Sequence, residues 1–83
     1  MIFLIDHDRA SGRTLLFKTY NDTDRRTAQE DRLQLELSLS RQGLLLGREV
    51  LLLEARDEQT LRRTHERYFR NLPEPAETPL GPR

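Results

Sequence analysis

Two side chains with proton-transfer chemistry lie three residues apart towards the end of the sequence. His65 and Tyr68 would share one face of a helix, where a histidine beside a tyrosine can pass on a proton. Glu54 interrupts an apolar segment and could serve them as a general base or form a structural ion pair. The candidate ion-pair partners of Glu54 are Arg56, Lys18 and Arg63. The spacing of His65 and Tyr68 is also typical of the core-facing side of an amphipathic helix, so simple packing is the alternative.

The same region carries the one basic cluster of the chain. Its members are Arg62, Arg63, Arg67 and Arg70. Together with Tyr68 and Phe69 they could contact phosphates and stack on an exposed base. The alternative is a solvated helix face, in which Glu58 and Glu66 pair with arginines four residues further on. Because fourteen basic and fourteen acidic side chains cancel, we do not expect general affinity for nucleic acid.

A third polar cluster, Asp6-His7-Asp8, ends the first apolar segment. In a strand the two aspartates project to one side and the histidine to the other, which separates the possible metal ligands. A divalent site needs three or four converging donors, and the only other histidine is His65. The sequence has no cysteine, no glycine-rich phosphate loop and no nucleophile elbow. We therefore predict no metal site and no cofactor.

Three segments are predicted to form the strands that must hold these residues. Residues 2–7 and 48–55 are apolar on both faces, which is typical of strands inside a sheet. Residues 14–20 are rich in β-branched and aromatic side chains but are more polar. The turn-forming residues at 8–13 predict a hairpin between the first two strands.

Residues 32–43, RLQLELSLSRQG, alternate leucine with polar residues as an amphipathic strand would. The segment nevertheless contains no β-branched residue, acidic side chains precede it, and Gly43 falls where a helix-ending glycine belongs. We therefore predict a helix over residues 23–42.

That helix would carry apolar side chains on two sides. Leu35 and Leu39 face one way, whereas Leu33 and Leu37 lie roughly opposite. One sheet cannot cover both sides, so the second side must meet the C-terminal helix of the same chain or another molecule.

Asp57 is expected to cap a second helix that continues to residue 72. Apolar and aromatic residues recur there at helical spacing: Leu61, His65, Tyr68, Phe69 and Leu72. All four prolines lie in the remaining segment, 73–83, which has almost nothing to bury and is predicted to be a disordered tail. The chain is thus expected to form one domain over residues 1–72.

The elements follow the order ββαβα, which indicates a small two-layer α+β domain. We expect a three-stranded mixed sheet of order 2-1-3 with both helices on one face. The other face would then expose leucine and isoleucine side chains, and a second copy of the chain would be needed to cover it. The amino-terminal apolar run is too short for a signal peptide or a membrane span, so we expect a cytoplasmic protein with no membrane segment.

No stretch of the sequence is a signature of catalysis. The leading prediction is a small homodimer that acts by binding, either as a regulatory or accessory module or as a partner of another protein. The first alternative is a small-ligand-binding protein or small enzyme with a site near His65 and Tyr68, at a cleft between subunits. The second alternative is nucleic-acid binding through the arginine-rich C-terminal helix.

Overall fold

The structure, a computed structural model, describes residues 1–70. Its strands are β1 (Ile2–Asp8), β2 (Arg13–Tyr20) and β3 (Arg48–Glu54), and its α-helices are α1 (Arg25–Arg41) and α2 (Glu58–Thr64). Short 3-10 turns lie at Asp22–Asp24, Leu45–Gly47 and Glu66–Tyr68. The predicted order ββαβα is confirmed, whereas the predicted tail and Leu72 lie outside the described residues.

The three strands form one sheet in the predicted order β2-β1-β3. β1 pairs antiparallel with both neighbours, so the sheet is antiparallel rather than mixed. β3 does run parallel to β2, but β1 lies between them. β3 is also an edge strand, although its apolar sequence was expected inside the sheet, because a three-stranded sheet has room for only one central strand.

The pairing of β1 with β2 contains a β-bulge. Asp6 lies opposite Leu16 and His7 lies opposite Thr14, so Leu15 has no partner in the register. The extra residue reverses the alternation of β2 beyond this point. As a result, Thr14 joins the face of the sheet that carries His7.

The two helices pack on opposite faces of the sheet. On one face, the buried side chains of Ile2 and Leu4 from β1 pack with Ala28 of α1. On the other face, Phe3 and Ile5 pack with a cluster from α2 and the turn after it. The members of that cluster are Leu61, Tyr68 and Phe69. The domain therefore has three layers, and the prediction that both helices share one face is wrong.

The position of α2 has a simple physical reason. α1 already covers β1 and β3 on its own side, so the remaining apolar surface of β1 lies on the other side. α2 begins four residues after β3 and closes over that surface. Because the chain covers both sheet faces itself, an uncovered sheet face no longer supports a homodimer.

The structure confirms the predicted first helix and its ending. The N–H of Leu44 donates to the carbonyl of Leu39 at 2.8 Å, and the N–H of Gly43 donates to the carbonyl of Ser40 at 3.0 Å. Gly43 has φ +74°, the left-handed conformation that this Schellman motif requires. The sequence pattern at residues 32–43 is therefore that of a helix.

The second side of α1 is not covered by α2, which lies across the sheet. Leu39 is buried, whereas Leu33 is 52% and Leu37 is 41% exposed. Two partners were expected for this side of α1: the C-terminal helix or another molecule. Within residues 1–70 the C-terminal helix does not pack against it.

The second helix begins as predicted but is shorter. The carboxylate of Asp57 accepts from the N–H of Thr60 at 2.8 Å. The helix ends at Thr64, whose hydroxyl donates back to the carbonyls of Thr60 and Leu61, and His65 leaves the helical conformation with ψ 51°. The chain then turns so that Tyr68 can enter the core, and the prediction of one helix to residue 72 is wrong.

Candidate functional site

A buried polar group lies beneath the turn Glu66–Tyr68. The hydroxyl of Thr14 donates to the backbone carbonyl of Tyr68, and it lies 3.0 Å from Nδ1 of His7. The rings of His7 and Tyr68 meet edge to face with centroids 5.1 Å apart. All three residues are buried, so this group joins β1, β2 and the turn after α2.

The phenol of Tyr68 is bound to a carboxylate at the outer end of this group. It donates to Oε2 of Glu49 at 2.8 Å, and Oε1 of Glu49 accepts from Arg67 at 3.3 Å. The guanidinium of Arg67 also lies over the Tyr68 ring, 5.0 Å from its centroid. Burial and the bond to Glu49 raise the pKa of Tyr68 above its ordinary value. The phenol is therefore a neutral donor near pH 7 rather than a group poised to lose its proton.

His65 and Tyr68 are brought together, as predicted, but by ring packing. Their rings stack with centroids 6.4 Å apart, and Nδ1 of His65 lies 2.9 Å from the hydroxyl of Thr64. The proton of the Tyr68 phenol points to Glu49 instead of His65. The arrangement matches the packing alternative, with a hydrogen bond at the edge of the core.

Glu54 lies on the opposite face of the sheet and does not join these residues. The two terminal nitrogens of the Arg25 guanidinium, Nη1 and Nη2, donate to its carboxylate, and the bond from Nη2 is 3.2 Å long. This pair lowers the pKa of Glu54. Glu54 therefore forms a structural ion pair, and its partner is Arg25 rather than any of the three residues expected from the sequence.

The four arginines of the basic cluster differ in their surroundings. Arg62 pairs with Glu58 at 2.9 Å and lies over the ring of Phe69, 4.8 Å from its centroid. Arg63 and Arg70 are exposed, and Arg67 is bound to Glu49. Because the rings of Tyr68 and Phe69 are buried, they offer no free face on which a base could stack.

A surface groove of about 480 Å³ follows α2. Its lining includes Glu58, Gln59, Arg62, Arg63 and Glu66. Neither His65 nor Tyr68 is among these lining residues. The lining carries both acidic and basic side chains. The groove therefore gives no support to a ligand site built on the predicted pair.

Asp6 and Asp8 project to the same side of β1, as predicted, and Arg48 lies between them. Its guanidinium is 2.6 Å from Oδ2 of Asp6 and 3.7 Å from Oδ1 of Asp8. Burial raises the pKa of Asp6, against the opposing effect of Arg48. Within residues 1–70 no three metal-binding side chains are grouped as a metal site requires.

From the sequence, His7 was considered only as a metal ligand, and neither Thr14 of the buried group nor Glu49, which binds Tyr68 at the outer end of that group, was singled out. Phe3, Ile5 and His7 occupy every second position of β1, and this spacing could have placed His7 on the same face of the sheet as the two apolar residues. The position of Thr14 depends on the bulge, for which the sequence carries no local signal.

Several leucines remain exposed on α1 and on the connection from α1 to β3. We call them the outer leucines: Leu33, Leu37, Leu44, Leu45 and Leu46. Leu46 is 94% exposed. The other two large apolar side chains that are exposed in the described residues, Leu15 and Leu16, belong to β2.

Comparisons of the chain with protein-family models, with curated proteins and with solved structures found no match. Neither helix of the described part combines the length and the apolar character needed to cross a bilayer.

Proposed function

We propose that this chain is a small homodimeric binding module of the cytoplasm that acts by contact with another protein. The observation that supports it is the exposure of the outer leucines. A small domain gains little from leaving several large apolar side chains in water, and such patches are typical of surfaces that bind other chains. Catalysis has weaker support, because Tyr68 and Glu49 bind each other and His7 is buried behind them.

The geometry of α1 favours a protein segment as the ligand. Leu33 and Leu37 are four residues apart and therefore lie next to each other on one helix face. Such an apolar pair can enter a groove or pack along a helix of a partner. Their substitution should leave the fold intact, since both side chains are largely exposed.

Photo-crosslinking in the native cells tests this proposal. A photoreactive residue at Leu37 is expected to give adducts heavier than two chains, whereas the same residue at the exposed Arg63, across the sheet, should not. The double variant Leu33→Gln, Leu37→Gln should then bind the purified partner about tenfold more weakly. Adducts between copies of the chain alone, or none at all, would contradict binding of a partner through this surface.

A further inference from the structure

The two edge strands of the sheet differ in how well they are protected from pairing with another chain. β2 contains the bulge at Leu15 and carries Lys18, two features that discourage pairing along an edge. β3 pairs with β1 in unbroken register over all seven positions, and four consecutive residues from Val50 to Leu53 are apolar. β3 also has neither lysine nor proline. Within the described chain, β3 is thus the edge that is open to another strand.

The backbone groups that β3 presents outwards follow from its bonds to β1. The N–H of Ala55 donates to the carbonyl of Met1 at 3.1 Å, and the N–H of Arg9 donates to the carbonyl of Gly47 at 3.0 Å. Inward and outward groups alternate along an antiparallel strand. The odd-numbered residues therefore bond to β1, and the outward positions are Arg48, Val50, Leu52 and Glu54. Of these, the carbonyl of Arg48 already accepts from Nε of Arg9 at 3.3 Å.

We infer that β3 pairs antiparallel with β3 of a second copy, about a two-fold axis at Leu51, to form one six-stranded sheet. This inference rests on the homodimer of the proposed function and names its interface. In this register Val50 lies opposite Leu52 of the second copy, and Arg48 lies opposite Glu54 of the second copy. Within one chain Arg48 already binds Asp6, and Glu54 already binds Arg25. Pairing of the two copies would therefore extend these ion pairs across both ends of the interface, with charges that alternate in sign.

Other registers of the same pairing are less favourable. A shift by one residue places outward groups against inward groups, which cannot form hydrogen bonds. A shift by two residues leaves Arg48 or Glu54 outside the pairing, and the remaining one lies opposite an apolar residue. The register centred on Leu51 alone places all four outward positions opposite one another, with Arg48 facing Glu54 at each end.

The side chains of β3 also suit a second copy. Leu51 and Leu53 are partly buried beside the α2 core, and Val50 and Leu52 are partly buried beside the α1 core. A second β3 would extend both apolar clusters across the edge, so the two domains would share continuous cores on both faces of the joined sheet.

Hydrogen exchange of the full chain tests this pairing directly. It is measured at about 100 µM, a concentration well above the Kd of a micromolar dimer. The outward amides of Val50 and Leu52 should exchange on the order of 100-fold more slowly than the outward amides of Phe17 and Thr19 on β2. In an NMR sample that mixes isotope-labelled and unlabelled protein, a nuclear Overhauser effect is expected between the α-protons of Leu51 in the two copies. The reason is that these two Cα atoms would lie about 4.5 Å apart.

A matched pair of proline variants tests it by mass. Leu52→Pro removes an outward donor of β3, and Thr19→Pro removes an outward donor of β2, so neither disturbs a bond to β1. Equilibrium sedimentation should give two chains for the wild type and Thr19→Pro, and one chain for Leu52→Pro. If Leu52→Pro does not fold, the exchange measurement on the wild type still decides.

The outcomes separate this inference from the proposal on which it rests. A wild-type dimer with fast exchange at Val50 and Leu52 would overturn pairing through β3 while leaving the homodimer in place. A single chain by sedimentation would overturn both. A dimer with slow exchange at both amides, dissociated by Leu52→Pro and not by Thr19→Pro, supports the inference.

Discussion

Both tyrosines of the chain donate their phenolic hydrogens to carboxylates. Tyr20 donates to Asp31 at 2.6 Å and Tyr68 to Glu49 at 2.8 Å. Burial, followed by the carboxylate, raises the pKa of each phenol in the folded chain. Because the unfolded chain loses these protons near pH 10, the free energy of unfolding should fall as the pH rises above about 10.

We therefore predict that tyrosinate absorbance of the native protein does not develop near pH 10. In guanidinium chloride both phenols should be half ionised at about pH 10, whereas in the native protein ionisation should coincide with loss of circular dichroism. The variants Tyr20→Phe and Tyr68→Phe assign each step. Equal titration curves for native and denatured protein would show that these hydrogen bonds do not persist in solution.

At the scale of the elements, the end of α1 depends on one glycine. Gly43 has φ +74°, whereas Gly47 does not lie in the left-handed region, and a Cβ would meet no atom at either position. The backbone conformation alone therefore distinguishes the two glycines.

Gly43→Ala is expected to lower the free energy of unfolding by about 1 kcal/mol, because alanine is strained in the left-handed region. Gly47→Ala is the matched control and should be neutral or stabilise the protein by a few tenths of a kcal/mol. Denaturant unfolding of the two variants measures both values. Equal values would mean that the Schellman ending does not contribute to stability.

At the scale of the whole molecule, each sheet face is closed by one helix of the same chain. This arrangement is compatible with a folded monomer, although its core is small: ten apolar side chains are buried in the described residues. A homodimer would add burial that the single chain lacks, and its unfolding would then be coupled to dissociation.

We predict that the melting temperature rises by about 4 °C for each tenfold increase in protein concentration. Scanning calorimetry over two decades of concentration measures this slope. A melting temperature that does not change with concentration would indicate a monomer, in which the two helices provide all the cover that the sheet needs.

The sequence by itself determined the elements and their order. The strands of the hairpin, the helix predicted over residues 23–42 with Gly43 just after it, and the cap at Asp57 all depend on neighbours within a few residues. Sheet order 2-1-3 was also predictable, because the connection between the second and third strands is long enough to cross β1. Of the candidate site, the sequence placed His65 beside Tyr68 and the two aspartates of β1 on one side.

Only the tertiary structure decided where these elements lie against each other. The apolar side of α2 could cover either face of the sheet. Because α1 already covers one face of β1, α2 packs on the other face. The same packing ends α2 at Thr64, since Tyr68 must turn into the core. The bond from Thr14 to the carbonyl of Tyr68 and the pairing of Glu54 with Arg25 connect residues far apart in the chain, and the bulge that brings Thr14 to His7 depends on how β2 pairs with β1. Local patterns carry no information about such contacts, because they depend on which surfaces remain free after the other elements have packed.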